Sequence, residues 1–294
     1  MGFRIALHSV SYAGFFYNGP PLTLEEIIKR ARMYGYEGIE LMAKRPHALP
    51  CDLTAKDRKR IKELFDSNGL SIPIIASYTN FADPSTERRD KELVYMKDVI
   101  ELARDLDVNK IRVFAAGMTQ LDPRHDYFQY WRWCKGCLID SARFAEDAGV
   151  MLGLQNHPPL MESYLNVLDM IEEVGSPALK AIIDPPLLSS AKEPIEKAVK
   201  ESAKVLLHHV HVSDKDSVRV GRSWPTFLGK GIYSEDLKKW FRIAKTIGYD
   251  GWISYEVCEP VYEKHELAPL SKIDALVKEA ALFLKQVITE VSVI

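Results

Sequence analysis

The chain has 294 residues, 47% of them hydrophobic, and 39 basic side chains against 41 acidic ones leave a formal net charge of -2. Charge so evenly mixed supplies no field to gather a polyanion, which argues against nucleic acid or an anionic bilayer as partner. No run approaches 18 apolar residues free of charge, so no membrane span is expected, and the opening MGFRIALHSVSY is too short an apolar run for a signal peptide. A cytoplasmic location is the expectation.

The length suits one continuous core, and a single domain over 1–294 is expected. FRIALHSVS reads as a first strand, and LTLEEIIKRARMYG as a first helix in which Thr23 and Glu26 make a capping box and Gly35 a stop. GIELMA is a second strand. LTAKDRKRIKELFDSNG is a second helix, capped by Thr54 with Asp57 and ended by Gly69.

The rhythm then continues with SIPIIASYT and a helix from Glu87 to Leu106, KIRVFAAG and a helix from Tyr130 to Ala148, and VMLGLQNHP and a helix from Ser163 to Val174. ALKAIIDPP precedes a helix from Pro194 to Ser202, KVLLHHVHVSD one from Ser234 to Ile247, and GWISYEVCEP the long amphipathic run from Pro269 to Glu290. Short strands alternating with helices imply a parallel sheet, because each crossover needs a helix to bring the chain back. Eight such pairs have the size and rhythm of an α/β fold of the (β/α)8 TIM barrel type. A doubly wound open sheet shares that periodicity, but no GxGxxG follows the first strand to support a dinucleotide fold.

Cys134 and Cys137 form a CxxC within a helical segment without a second cysteine pair or a suitably spaced histidine, so all four cysteines read as thiols.

Strands of a parallel sheet covered on both faces should be apolar throughout. Glu40, Gln155, Asp184, His211 and Glu256 instead stand at the C-terminal ends of strand-like runs, the rim on which barrel active sites are built. Gln155, Asp184, His211 and Glu256 come from strands five to eight and offer three oxygen ligands and one imidazole. That set suits one divalent ion, Mn2+ foremost, with Mg2+, Co2+ or Zn2+ as alternatives. Open coordination positions would take the vicinal oxygens of a sugar or polyol substrate. Each residue also has a plainer reading: Asp184 before Pro185 and Pro186 as a turn, His211 as a hydrogen-bonded rim histidine, Glu256 as half of an ion pair, Gln155 as an ordering amide.

Here the chain resembles the xylose isomerase-like barrels, the superfamily of endonuclease IV and of sugar phosphate isomerases and epimerases. The resemblance spans essentially the whole chain and is most specific in GVMLGLQNH, IIDPP, HVHVSD and GYDGWISYE. It implies a metal held by Gln155, Asp184, His211 and Glu256 at the ends of strands five to eight. Two departures accompany it. The first family glutamate is Gln155, whose amide can still ligate but cannot act as a carboxylate base. A second histidine, often found three residues after the aspartate in relatives, is replaced by Leu187.

Without a carboxylate at 155, the acid and base fall to His157 and Glu256. His8, Lys44, Tyr78, Trp131 and Arg222 are candidate substrate contacts, with Arg219 near the last, and His209 is a supporting residue one layer below His211. Tyr127, Tyr130, Trp131 and Trp133 form an aromatic cluster that could face a sugar, cap the barrel or join subunits.

The leading expectation is a metal-dependent isomerase or epimerase that takes a proton from a carbon next to a carbonyl. A lyase of the same fold, of the inosose dehydratase or oxidised C-glycoside deglycosidase kind, is the alternative. A non-catalytic sugar-binding barrel and an endonuclease IV-like phosphodiesterase are the contrasting classes. The resemblance also implies a homo-oligomer and leaves room for a small partner subunit.

Overall fold

The computed structural model describes residues 2–117, 120–216 and 224–293. Strands β1 (Phe3–His8), β2 (Gly38–Met42), β3 (Ile75–Ala76), β4 (Lys110–Val113), β5 (Met151–Gln155), β6 (Leu179–Ile182), β7 (His209–Val212) and β8 (Gly251–Tyr255) alternate with helices. These are α1 (Leu24–Tyr34), α2 (Ala55–Ser67), α3 (Thr86–Asp105), α4 (Tyr127–Ala148), α5 (Tyr164–Val174), α6 (Pro185–Ser190), α7 (Ile195–Ser202), α8 (Ser234–Thr246) and α9 (Leu270–Val293).

The strands are parallel neighbours in the order β6-β5-β4-β3-β2-β1-β8-β7. The ring closes just before β7, where the Leu207 N–H donates to Ala181 O at 2.9 Å and the Ala181 N–H donates to Val205 O at 2.8 Å. That closure makes the sheet a (β/α)8 barrel and sets aside the open doubly wound alternative. No helix among the described residues is long and apolar enough to cross a membrane.

Local chemistry sets most helix ends. Thr23 with Glu26, Thr54 with Asp57 and Asp126 with Gln129 form reciprocal capping boxes, and Gly35 and Gly149 close α1 and α4 in the left-handed region. Each such cap contributes about 1 kcal/mol. Where the structure departs from the sequence reading, caps and pairing explain why. Helix α4 begins three residues early because Asp126 caps it. A short helix, α6, follows Asp184 directly, with Pro185 and Pro186 in its first turn, where a missing N–H costs nothing. Only Ile75–Ala76 of the expected third strand is paired as strand, and an unanticipated hairpin, Tyr262–Glu263 with Glu266–Leu267, precedes α9.

Alternation sorts the barrel interior into layers. An apolar plug of Ile74, Ile182 and Leu207 fills the middle, with Met151 packed against it. Gly153 of β5 faces this plug: a Cβ there would lie 2.5 Å from Leu207 Cδ2 and 2.6 Å from Ile182 Cδ1. Burying side chains of this size contributes roughly 1.5–3 kcal/mol each. It also gives the polar layer above a dry, solid floor.

Candidate active site

Above the plug, seven of the eight strands contribute polar side chains to the mouth. His8, Glu40, Arg112, Gln155, Asp184, His209 and His211 are all less than 5% exposed, and Glu256 is partly buried. Glu40 is the hub. Its Oε1 lies 2.8 Å from His211 Nε2 and 3.7 Å from His8 Nε2, and its Oε2 lies 2.9 Å from His209 Nε2. A carboxylate can only accept, so Nε2 of both His209 and His211 carries hydrogen. Burial alone would raise the Glu40 carboxyl, but the three imidazoles hold it well below the usual range.

With Nε2 of His211 committed to Glu40, its Nδ1 faces Asp184 Oδ2 at 3.0 Å. Two lone pairs that close require a proton or a cation between them. Burial opposes a charge on the imidazole, but Glu40 and Asp184 push it well above its ordinary value. Asp184 is held in place from two sides, accepting the His211 N–H at Oδ1 (2.8 Å) while its own N–H donates to Asn156 Oδ1 (2.8 Å).

Gln155 completes this corner. Its Nε2 donates to Asp184 Oδ2 and lies 3.2 Å from His211 Nδ1, whereas its buried Oε1 has no partner. An orphaned amide oxygen in a buried site costs on the order of 1–3 kcal/mol unless something binds it. The donor chemistry therefore fits a divalent ion: an unpartnered amide oxygen, a facing carboxylate and imidazole, and nearby Glu256. Potential ligand atoms of His8, His211 and Glu256 lie within 4.8 Å of one another, as do those of Glu40, His209 and His211.

The expected acid and base lie at the same mouth with different poise. Burial raises the Glu256 carboxyl above its ordinary value, Asp184 and Glu40 add to the rise, and His211 and Arg112 oppose it. Burial lowers the His157 imidazole, and its Nδ1 lies 2.6 Å from Pro158 O. A carbonyl accepts only, so Nδ1 carries the hydrogen and Nε2 the lone pair.

Three expected substrate contacts gather here. Tyr78 Oη is 3.4 Å from His8 Nε2, and Lys44, exposed on the rim, places Nζ 5.0 Å from the Tyr78 ring centroid. Burial pushes His8 down to about 3.

Trp131 is not brought to this cluster. It lies in the outer groove between α4 and α5 with Tyr127, its indole N–H donating to Glu173 Oε1 at 3.1 Å, because residue 131 falls on the side of α4 that meets α5. The aromatic cluster divides around α4: Tyr130 is buried and Trp133 stacks edgewise on His125. Arg222 and Arg219 lie outside the described residues.

Cys134 and Cys137 are buried thiols on α4, the latter pushed up by burial to about 11. Asp214, last of HVHVSD, organises the loop after β7. Its carboxylate accepts from the backbone N–H groups of Lys215, Gly229, Gly231 and Tyr233 and from Ser234 Oγ, at 2.8–3.1 Å.

Two residues central to this geometry carry no role in the sequence reading. Glu40 is visible there only as a polar strand end. Arg112 had one available signal, a charge two places before Phe114 in the otherwise apolar IRVFAA.

Known proteins place this architecture. The fructoselysine 3-epimerase of Shigella flexneri is 26% identical over 248 residues, covering 80% of this chain and 86% of that protein. Among solved structures, the IOLI protein with a binding zinc atom superposes with a TM-score of 0.77 at 14% identity, covering 98% of both chains. The 3-keto-D-glucoside 4-epimerase of E. coli superposes at 0.75 with 17% identity, covering 97% of this chain and 99% of that one. At such identities the structures speak for the fold alone. The profile of the xylose isomerase-like TIM barrels, however, matches residues 28–287, nearly the whole barrel, and the chain belongs to that family.

Proposed function

We propose that this barrel is a metal-dependent enzyme of the isomerase and epimerase type, acting on a keto sugar or polyol ketone by removing a proton next to the carbonyl. The observation that carries this reading is the facing pair His211 Nδ1 and Asp184 Oδ2, 3.0 Å apart and both contacted by the amide of Gln155, whose Oε1 has no partner. Gln155, Asp184, His211 and Glu256 are the residues that would hold the ion, with Mn2+ the first candidate. When bound, such an ion polarises a substrate carbonyl as a Lewis acid.

The chain's own groups account for the proton. Glu256, whose carboxyl burial raises above its ordinary value, is the carboxylate assigned to take the proton. His157 is neutral near pH 7 with a lone pair at Nε2, which suits it to accept a proton. Glu40 orients His211 from behind, the carboxylate–imidazole arrangement that commonly fixes a ligand's tautomer. The floor of Ile74, Ile182 and Leu207 excludes water from below.

A β-eliminating lyase is the second reading, favoured by Gln155: an amide at this position leaves one carboxylate base instead of two, and elimination needs only one. The epimerase reading draws support from the fructoselysine 3-epimerase likeness.

Elemental analysis of the purified protein and of His211→Ala tests the metal. About one ion per chain in the first and loss of it in the second is the expected result. No uptake when Mn2+ is supplied, or equal content in the two proteins, overturns the reading.

A further inference from the structure

Arg112 is the buried charge that the reading above leaves without a task. It is 2% exposed, its guanidinium carbon sits 3.8 Å from the Phe114 ring centroid and 4.8 Å from that of Tyr78, and its Nε and Nη1 have no hydrogen-bond partner. A guanidinium keeps its proton, so the charge persists in a site where unpaired charge is costly. The aromatic faces repay part of that cost and fix the orientation, yet they leave the N–H donors free.

Its place in the barrel says what those donors await. Strand β4 lies four places from β8 in the ring of eight, so Arg112 and Glu256 stand on opposite walls of one mouth. The charge of Arg112 is felt by His8, Tyr78, His157 and Glu256. Glu40, Asp184 and Glu256 bring three negative charges to this layer; Arg112 and a divalent ion would balance them. A neutral substrate suits such a site better than an anionic one.

We propose that Arg112 binds the oxyanion of the reaction, its free Nε–H and Nη1–H donating to the carbonyl oxygen of a neutral α-hydroxy ketone or aldehyde as that oxygen gains charge. This rests on the proton-abstraction reading. One C–H bond breaks and its proton goes to the Glu256 carboxylate; the C–H electron pair becomes the new C=C bond, and the carbonyl π pair moves onto oxygen. Negative charge therefore leaves the β8 wall and arrives on the substrate oxygen, where donors already in place are worth most. Return of a proton to carbon reverses the flow.

The probe is glycolohydroxamate, a small planar mimic of an enediolate, titrated calorimetrically into manganese-supplied wild-type protein, Arg112→Met and Arg112→Lys. Manganese uptake and far-ultraviolet circular dichroism are measured on each protein separately. Arg112→Met is expected to take up manganese as wild type does and to bind the hydroxamate at least tenfold more weakly. Arg112→Lys, which keeps the charge without the fork, should lose at least threefold. Equal hydroxamate affinity in wild type and Arg112→Met overturns the assignment while the metal reading stands. If Arg112→Met does not fold, Arg112→Lys decides: unchanged affinity overturns it. Failure of wild type to take up manganese overturns the metal reading instead. Titration of the metal-free proteins then decides on Arg112, with equal or absent hydroxamate binding overturning its role.

Discussion

The groove between α4 and α5 and the mouth of the barrel are both polar, but they treat their charges differently. In the groove, about 640 Å³ in volume, Lys135 Nζ and Trp131 Nε1 share the Glu173 carboxylate at 2.8 and 3.1 Å, and all three side chains reach solvent. At the mouth, Glu40, Asp184, His209 and His211 are at most 2% exposed, while Gln155 Oε1, Arg112 Nε and Arg112 Nη1 lack partners altogether. An exposed pair exchanges with water and is worth roughly 0–1 kcal/mol. A buried donor or acceptor without a partner costs more than that and persists where a ligand meets it. The volume of the groove is therefore a poorer guide to chemistry here than the unmet hydrogen bonds of the mouth.

The largest effect expected on the mouth side is at its base. Glu256→Gln should lower deuterium incorporation from D2O into the carbon beside a ketose carbonyl by about 10³-fold. Retention of wild-type exchange would move the base elsewhere and weaken the contrast at once. Glu40→Gln comes next, because the amide cannot serve both imidazoles as an acceptor. Manganese affinity, read by competition with a chelating dye, should fall roughly 10–100-fold, and an unchanged affinity would reduce Glu40 to a structural ion pair. Below the polar layer, Gly153→Val should destabilise by about 2 kcal/mol in urea titration, since the plug already occupies the space. A neutral result would show that Leu207 and Ile182 move aside easily. The smallest effect belongs to the groove: Trp131→Ala should leave KM for any accepted substrate within about twofold, as expected for an exposed site away from the chemistry. A tenfold rise in KM would restore Trp131 as a substrate contact.

Much of the fold was legible because its signals are local. The capping boxes at Thr23 and Thr54 and the stop at Gly35 depend on neighbours three or four residues away, so spacing alone reveals them. The polar strand ends were legible for a similar reason: a covered parallel strand has no other use for Gln155, Asp184, His211 or Glu256. Which of these side chains touch was not legible. Trp131 has the composition of a sugar platform and sits on the wrong side of α4, which only helix rotation against α5 decides.

The sequence by itself determined the alternation of strand and helix, most helix ends and the set of strand ends that carry chemistry, because periodicity and capping act over a few residues. Tertiary structure alone decided that the ring closes between Ala181 and the residues before β7, that Glu40 serves His8, His209 and His211 at once, and that Arg112 stands unpartnered across from Glu256. These facts join residues separated by as many as 171 positions, as Glu40 and His211 are. Barrel closure, not any local preference, brings such distant strand ends within hydrogen-bond reach.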